Sequence, residues 1–313
     1  MAPKRDVFVD IAKGIAMLLI VRIHTEVFGV IHAPYPIIAV PFFFFMSGFY
    51  DNTNKPLKEW FPKTFRLLFI TGVIWVLLSF AYLSLLHFIK DRTIPIEFSV
   101  EYPLIAGRAT WFLFSLFYAK CGMWVIRRCK LPFYIAFPLL FLIASLSTNN
   151  LPFLLDEGLA ALPFYYLGFI LYPYIDRTKG GHIILAILGM ICILLMPMKW
   201  FPYLVVPWVV NGSILMYPIY FGMTILSFFP ILWLANKITK ATWLANYGKQ
   251  TLGILVLHPL MLHTCAVALN RVFVPASVPW IISFLLAYVI VCVVSYYLSI
   301  LIVKHYPFLL GRK

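Results

Sequence analysis

The chain has 313 residues, 63% of them hydrophobic and only 12% charged, with a mean hydropathy of +0.94. Soluble domains carry about half apolar and a quarter charged residues, so these totals exclude a soluble enzyme and point to an all-α polytopic membrane protein. The formal charge of +14 is not the footprint of a nucleic-acid binder, because the lysines and arginines sit in short loops between apolar segments and form no separate basic face.

A transmembrane helix needs about 20 apolar residues. Ten segments qualify as spans, at about 10–31, 36–50, 66–89, 111–127, 132–148, 159–175, 182–199, 212–235, 250–271 and 279–303. The first is interrupted by Arg22, His24 and Glu26 and lacks a small-residue cleavage site, so it reads as a span and not as a signal peptide. The second is short and ends in FFFFMSG. Trp200–Val210, with Pro202 and Pro207, reads as a broken or re-entrant helix, which is tolerated only where protein or a wet cavity satisfies the backbone. No connection is long enough for a soluble domain, so residues 1–313 are expected to form a single membrane-embedded domain.

Orientation follows from the loops. With both termini in the cytoplasm, 17 lysines and arginines fall on the inner side and 5 on the outer side, while Lys13, Arg22 and Lys120 stay within spans. This asymmetry is that of ten spans under the positive-inside rule. The five cysteines include no CxxC pair. Cys121, Cys192, Cys265 and Cys292 lie in apolar segments and Cys129 in the RRCK loop, which fits buried free thiols and neither disulfides nor a metal site.

Ionisable groups inside a membrane are costly and mark candidate sites. In the first span His24 lies roughly 20° around the helix from Lys13 and about 16 Å along it, and Asp10 falls near the same stripe. A neutral imidazole can take a proton from a hydroxyl or attack an acyl group itself; alternatively His24 is a structural residue bonded to a neighbouring helix. Lys13 can hold an anionic co-substrate, or it snorkels to the inner surface with Asp10 as partner. Arg22 and Glu26 form an i,i+4 pair on another face, with Glu26 also a candidate ligand for an acceptor at the outer end.

Six stretches, in order, resemble blocks of the acyltransferase-3 family of integral membrane acyltransferases, particularly its fucose-4-O-acetylase-like branch. Lys13-x10-His24 matches the family's opening Arg-x10-His with lysine for arginine, which keeps the charge but loses the planar fork. PFFFFMSGF (Pro41–Phe49) resembles the second-helix block, and Lys63-Thr-Phe-Arg66 resembles Arg-x-x-Arg. TWFLFSLF (Thr110–Phe117), LPFYYLGFIL (Leu162–Leu171) and NYGKQTLGILVLHPLML (Asn246–Leu262) resemble the blocks of spans four, six and nine. The hydrolase-like C-terminal domain of some members has no counterpart in this sequence.

The resemblance implies transfer of an acyl group, usually acetyl, from cytoplasmic acyl-CoA to a sugar hydroxyl of a cell-envelope glycan or lipid-linked precursor, in a bacterial-type inner membrane. Acetyl-CoA would be a co-substrate, with no resident cofactor or metal, and the partners would be the donor, the glycan and membrane lipids. His24, Lys13 and Asp10 would form the catalytic set. Glu26, Trp111 and His258 would contact substrate, with His258 in the inner half of its span and His24 further toward the outside. Trp111 would stack on a sugar ring, unless it is an interfacial belt tryptophan. Lys63, Arg66, Arg127 and Arg128 would hold the CoA phosphates, unless their charge serves topology alone. The competing class is a transporter or glycan exporter, for which internal repeats and paired broken helices are the usual marks; the halves show no repeat.

The charge split makes a direct prediction: Lys58, Arg128 and Lys240 face the cytoplasm, whereas Glu97, Asp156 and Arg271 face outward. Cysteine-accessibility labelling that put positions 97 and 128 on the same side would refute it.

Overall fold

The computed structural model describes residues 6–24, 36–91, 110–146, 154–174, 183–195, 216–272 and 278–312. Every regular element among them is helical. In chain order these are α1 (Val7–His24), α2 (Pro36–Gly48), α3 (Leu57–Thr64), a π-helical segment (Phe65–Ile70), α4 (Thr71–Asp91), α5 (Trp111–Arg128), α6 (Phe133–Leu146), α7 (Leu155–Leu171), α8 (Ile183–Leu195), α9 (Met216–Lys237), α10 (Thr242–Lys249), α11 (Thr251–Val272) and α12 (Val278–His305). Short 3-10 turns follow α7 at Tyr172–Tyr174 and α12 at Pro307–Leu310. Glu26, Glu97 and the expected break at Trp200–Val210 lie outside the described residues.

Four helical stretches among the described residues are long and apolar enough to cross a bilayer: Leu57–Ile89, Pro218–Lys237, Thr251–Leu269 and Leu285–His305. With the apolar composition they make this a multi-pass membrane protein. The expected third span, 66–89, lies within the first of them. The helix starts nine residues earlier because α3, the π segment and α4 run on without a break, with Pro62 inside α3. α12 shows how such a helix divides its faces. Leu285, Leu286, Val289, Val293 and Tyr297 are exposed, while Val291, Cys292, Ser295 and Ser299 are buried, so apolar bulk faces outward and small residues face the protein, as in lipid.

The described chain forms two compact units. The first comprises Met1–Leu19, Pro34–Phe61 and Ser115–Lys249. Its centre is the packing of α2 on α7. The run Phe42–Phe45 is buried all round, with Phe42 and Phe45 each 5.2 Å from the ring of Phe228 on α9. Two glycines let α2 and α7 touch backbone to backbone: a Cβ on Gly168 would fall 1.9 Å from the Phe45 carbonyl oxygen, and one on Gly48 would fall 2.1 Å from that of Tyr165. The glycine of NYGK has the same role. A Cβ on Gly248 would fall 1.8 Å from the Asp10 carbonyl oxygen, so α10 can approach the start of α1 only without a side chain there.

The second unit comprises Ile20–Ala33, Pro62–Phe114 and Gln250–Lys313. α11 and α12 pack along each other with Gly253 against Ser299, whose hydroxyl donates to Gln250 Oε1 at 3.1 Å. α4 meets α11, where Tyr82 and Thr264 share a hydroxyl–hydroxyl bond. The five cysteines are all free, as expected, although only Cys292 is fully buried and Cys129 is exposed.

Gly168→Ala should force α2 and α7 apart, at a cost of about 1–3 kcal/mol for overpacking. Gly222→Ala in α9, where a Cβ meets nothing within 4 Å, should be neutral or mildly stabilising. Thermal retention of monodisperse protein in detergent reads both, and equal behaviour of the two variants would contradict the packing described.

Candidate functional site

The second unit brings together two of the candidate residues, His24 at the last position of α1 and His258 in α11. The His258 Nε2 lies 3.2 Å from the His24 Nδ1, and the rings meet edge to face with centroids 4.8 Å apart. This corrects the expected depths. Span ends drawn from hydropathy do not fix the axial offset of two helices, and the two histidines meet at one level.

Local backbone chemistry decides where the protons sit. His258 is fully buried, and its Nδ1 lies 2.9 Å from the Ile254 carbonyl oxygen one turn back. Pro259 has no N–H, so the Leu255 carbonyl lacks its usual helical donor, and it too interacts with the His258 ring. A carbonyl oxygen only accepts, so Nδ1 of His258 carries the proton and, in a neutral ring, Nε2 is left as an acceptor. The one partner for that lone pair given by the geometry is His24 Nδ1, which must therefore donate. His24 Nδ1 also lies 3.0 Å from the Ile20 carbonyl oxygen, which demands a proton on the same nitrogen. With both rings neutral, the pattern leaves the lone pair of His24 on Nε2. The His-Pro dipeptide of the ninth expected span thus has a physical reading: proline frees a carbonyl, and the adjacent histidine is tautomerically locked by the helix that carries it.

The other candidate residues stand elsewhere. In the first unit, Asp10 is buried and the Lys13 ammonium lies 5.1 Å from the centre of the Tyr50 ring. Arg127, a residue expected to meet CoA phosphate, donates to Asp51 Oδ2 at 2.7 Å. Tyr165 donates to Asp51 Oδ1 at 2.9 Å, Thr53 donates its hydroxyl to Oδ2 at 2.8 Å, and Lys120 donates to the Tyr165 hydroxyl at 3.1 Å. Arg128 stacks on Trp124 and donates to the Lys55 carbonyl at 3.4 Å. These contacts tie the loop after α2 to the basic end of α5.

In the second unit Lys63 is exposed near the end of α3, and Arg66 sits in the π segment. The Arg66 Nε is buried with no hydrogen-bond partner among the described residues. Trp111 is the half-buried first residue of α5. Sequence reasoning missed Asp51, Tyr165 and Lys120 as a unit. The available signal was a lysine inside a span, Lys120, whose charge demands a polar neighbour.

The described residues thus place a hydrogen-bonded histidine pair inside a helical membrane protein. The family model described as an acyltransferase domain matches residues 6–304. The chain belongs to the acyltransferase-3 family and is a membrane acyltransferase. It matches no curated protein and no solved structure.

Proposed function

We propose that the protein transfers an acetyl group from cytoplasmic acetyl-CoA to a sugar hydroxyl of a cell-envelope glycan or lipid-linked precursor. The whole chain is one acyltransferase domain of a bacterial-type inner membrane, with ten spans and both termini in the cytoplasm. The observation that carries the reading is the hydrogen-bond chain Ile254–His258–His24, because it favours a lone pair on His24 Nε2.

In the reaction, His24 Nε2 takes the proton of the acceptor hydroxyl as its oxygen forms a bond to the thioester carbonyl carbon. The C–S bond breaks, and the departing thiolate receives that proton from the imidazolium. His258 acts through His24: its Nε2 accepts the Nδ1–H bond, holds the tautomer and favours the transient positive charge. The same Nε2 lone pair suits His24 to accept the acetyl group itself before passing it on. Lys13, three turns nearer the cytoplasmic end of α1, attracts the anionic donor, with Asp10 setting its charge balance. Lys63, Arg66, Arg127 and Arg128 are the cations that bind CoA phosphates, Arg127 while paired with Asp51. Trp111 and Glu26 serve the acceptor.

Lys13→Arg restores the residue of the family signature and should keep donor use, whereas Lys13→Ala should weaken it. His24→Ala should fold and insert, because the lost packing and hydrogen bonds cost at most a few kcal/mol. Its rate of acetyl transfer should fall by roughly two to four orders of magnitude. His258→Ala should retain part of the activity, since it loses orientation and not the base. Acetyl transfer per milligram of monodisperse protein measures both. Near-normal activity in His24→Ala would defeat the mechanism, and a dead His258→Ala beside an active His24→Ala would move the base to α11.

A further inference from the structure

The helix from Leu57 to Ile89 is wound as a π-helix over Phe65–Ile70. There the amide of Thr71 bonds the Arg66 carbonyl, five residues back. Single π turns are less favourable than α turns and persist where something holds them. In this chain the holder is visible. The Thr71 hydroxyl also donates to the Arg66 carbonyl, at 3.2 Å, and Thr71 is fully buried.

Against this same turn lies the hook after α12, the 3-10 turn Pro307–Leu310 closed by Gly311. Gly311 has φ +65°, in the left-handed region that glycine enters at no steric cost. A Cβ there would lie 2.6 Å from the Leu67 Cα, 2.7 Å from the Thr71 hydroxyl and 2.9 Å from the Arg66 carbonyl oxygen. One turn further along α4, the buried Trp75 donates its indole N–H to the Leu309 carbonyl at 2.8 Å. Leu310 is fully buried. The hook is thus fastened at two points, one of them the backbone of the turn that carries Arg66.

Arg66 gives the turn its chemical interest. Its side chain is half-buried, and its Nε is shielded from solvent without a partner among the described residues. A buried guanidinium nitrogen without a partner is costly, and an anionic oxygen is the group whose arrival would satisfy it. Winding residues 65–70 back to α register would turn Arg66 about the helix axis relative to α4 and so change where its guanidinium sits.

We infer that the hook Pro307–Gly311, clamped by Thr71 and Trp75, is a positioning element that holds the π turn and so aims Arg66 at an anionic group of the acyl donor. The inference rests on the donor-binding role proposed for Arg66. Thr71, Trp75 and Gly311 act through Arg66 and touch no substrate.

The test is the split between KM for acetyl-CoA and kcat in reconstituted full-length protein. Arg66→Ala should raise KM about tenfold, the worth of one charge-assisted hydrogen bond. Gly311→Val, which the left-handed φ and the close backbone both oppose, should raise KM to a similar extent with kcat little changed. Combining the two should give no more than Arg66→Ala alone. Trp75→Phe removes only the indole N–H, keeps the ring, and should raise KM about threefold, which covers the case in which Gly311→Val fails to fold. A lowered kcat at unchanged KM, or additive effects in the pair, would overturn the inference. Unchanged KM in Arg66→Ala would also overturn it, through the donor-binding role. Maleimide labelling of Arg66→Cys separates these failures. A changed rate on adding Gly311→Val keeps the clamp and faults the donor role, whereas an unchanged rate removes the clamp itself.

Discussion

One short chain of hydrogen bonds, from a helix carbonyl through one imidazole to another, organises the histidine site. In lipid a polar group must be satisfied inside the protein, and a helix interior offers mainly its own carbonyls. Because a carbonyl cannot donate, each contact with Ile254 or Ile20 assigns a proton to Nδ1. The bond between the rings then follows, and the remaining lone pair falls on His24 Nε2. The acceptors seen on Nδ1 of each ring are helix carbonyls, where a carboxylate is the usual partner for such histidines. The helix backbone does that work instead, with Pro259 removing one competing amide donor.

Backbone proximity governs the first unit as well, by a different route. Gly48, Gly168 and Gly248 each stand where a single Cβ would collide with a carbonyl oxygen. Removing side chains brings main chains into contact, and that close fit is what holds helices together where lipid supplies no hydrophobic drive. Asp51 supplies the polar counterpart. Its carboxylate gathers Arg127, Tyr165 and Thr53, so one cation of a strongly basic loop region has its counter-charge within the protein.

Much of this was legible in the sequence, and what was not has identifiable causes. Helical periodicity put Lys13 and His24 on one stripe because both belong to one helix. It could not place His258, since a contact between residues 234 apart has no local pattern, and the hydropathy-drawn span ends gave the two histidines different depths. The start of the helix at Leu57 was missed because its first residues are amphipathic and polar, while hydropathy registers only the apolar remainder. The partner of Arg127 has no mark in the sequence, because charge counting shows basic residues but not the Asp51 carboxylate that meets this one from another loop. The π turn at Phe65–Ile70 has no sequence mark at all: it is held by Thr71 and by a hook more than two hundred residues away.

The protonation pattern of the pair can be read by nitrogen-15 NMR of histidine-labelled protein in lipid at neutral pH, with His24→Ala and His258→Ala to assign the signals. Two neutral rings are expected, both protonated at Nδ1, with His24 Nε2 unprotonated and a His24 Nδ1 signal that shifts when the His258 acceptor is removed. A His24 ring protonated at Nε2, or one whose signal ignores the loss of His258, would contradict this pattern.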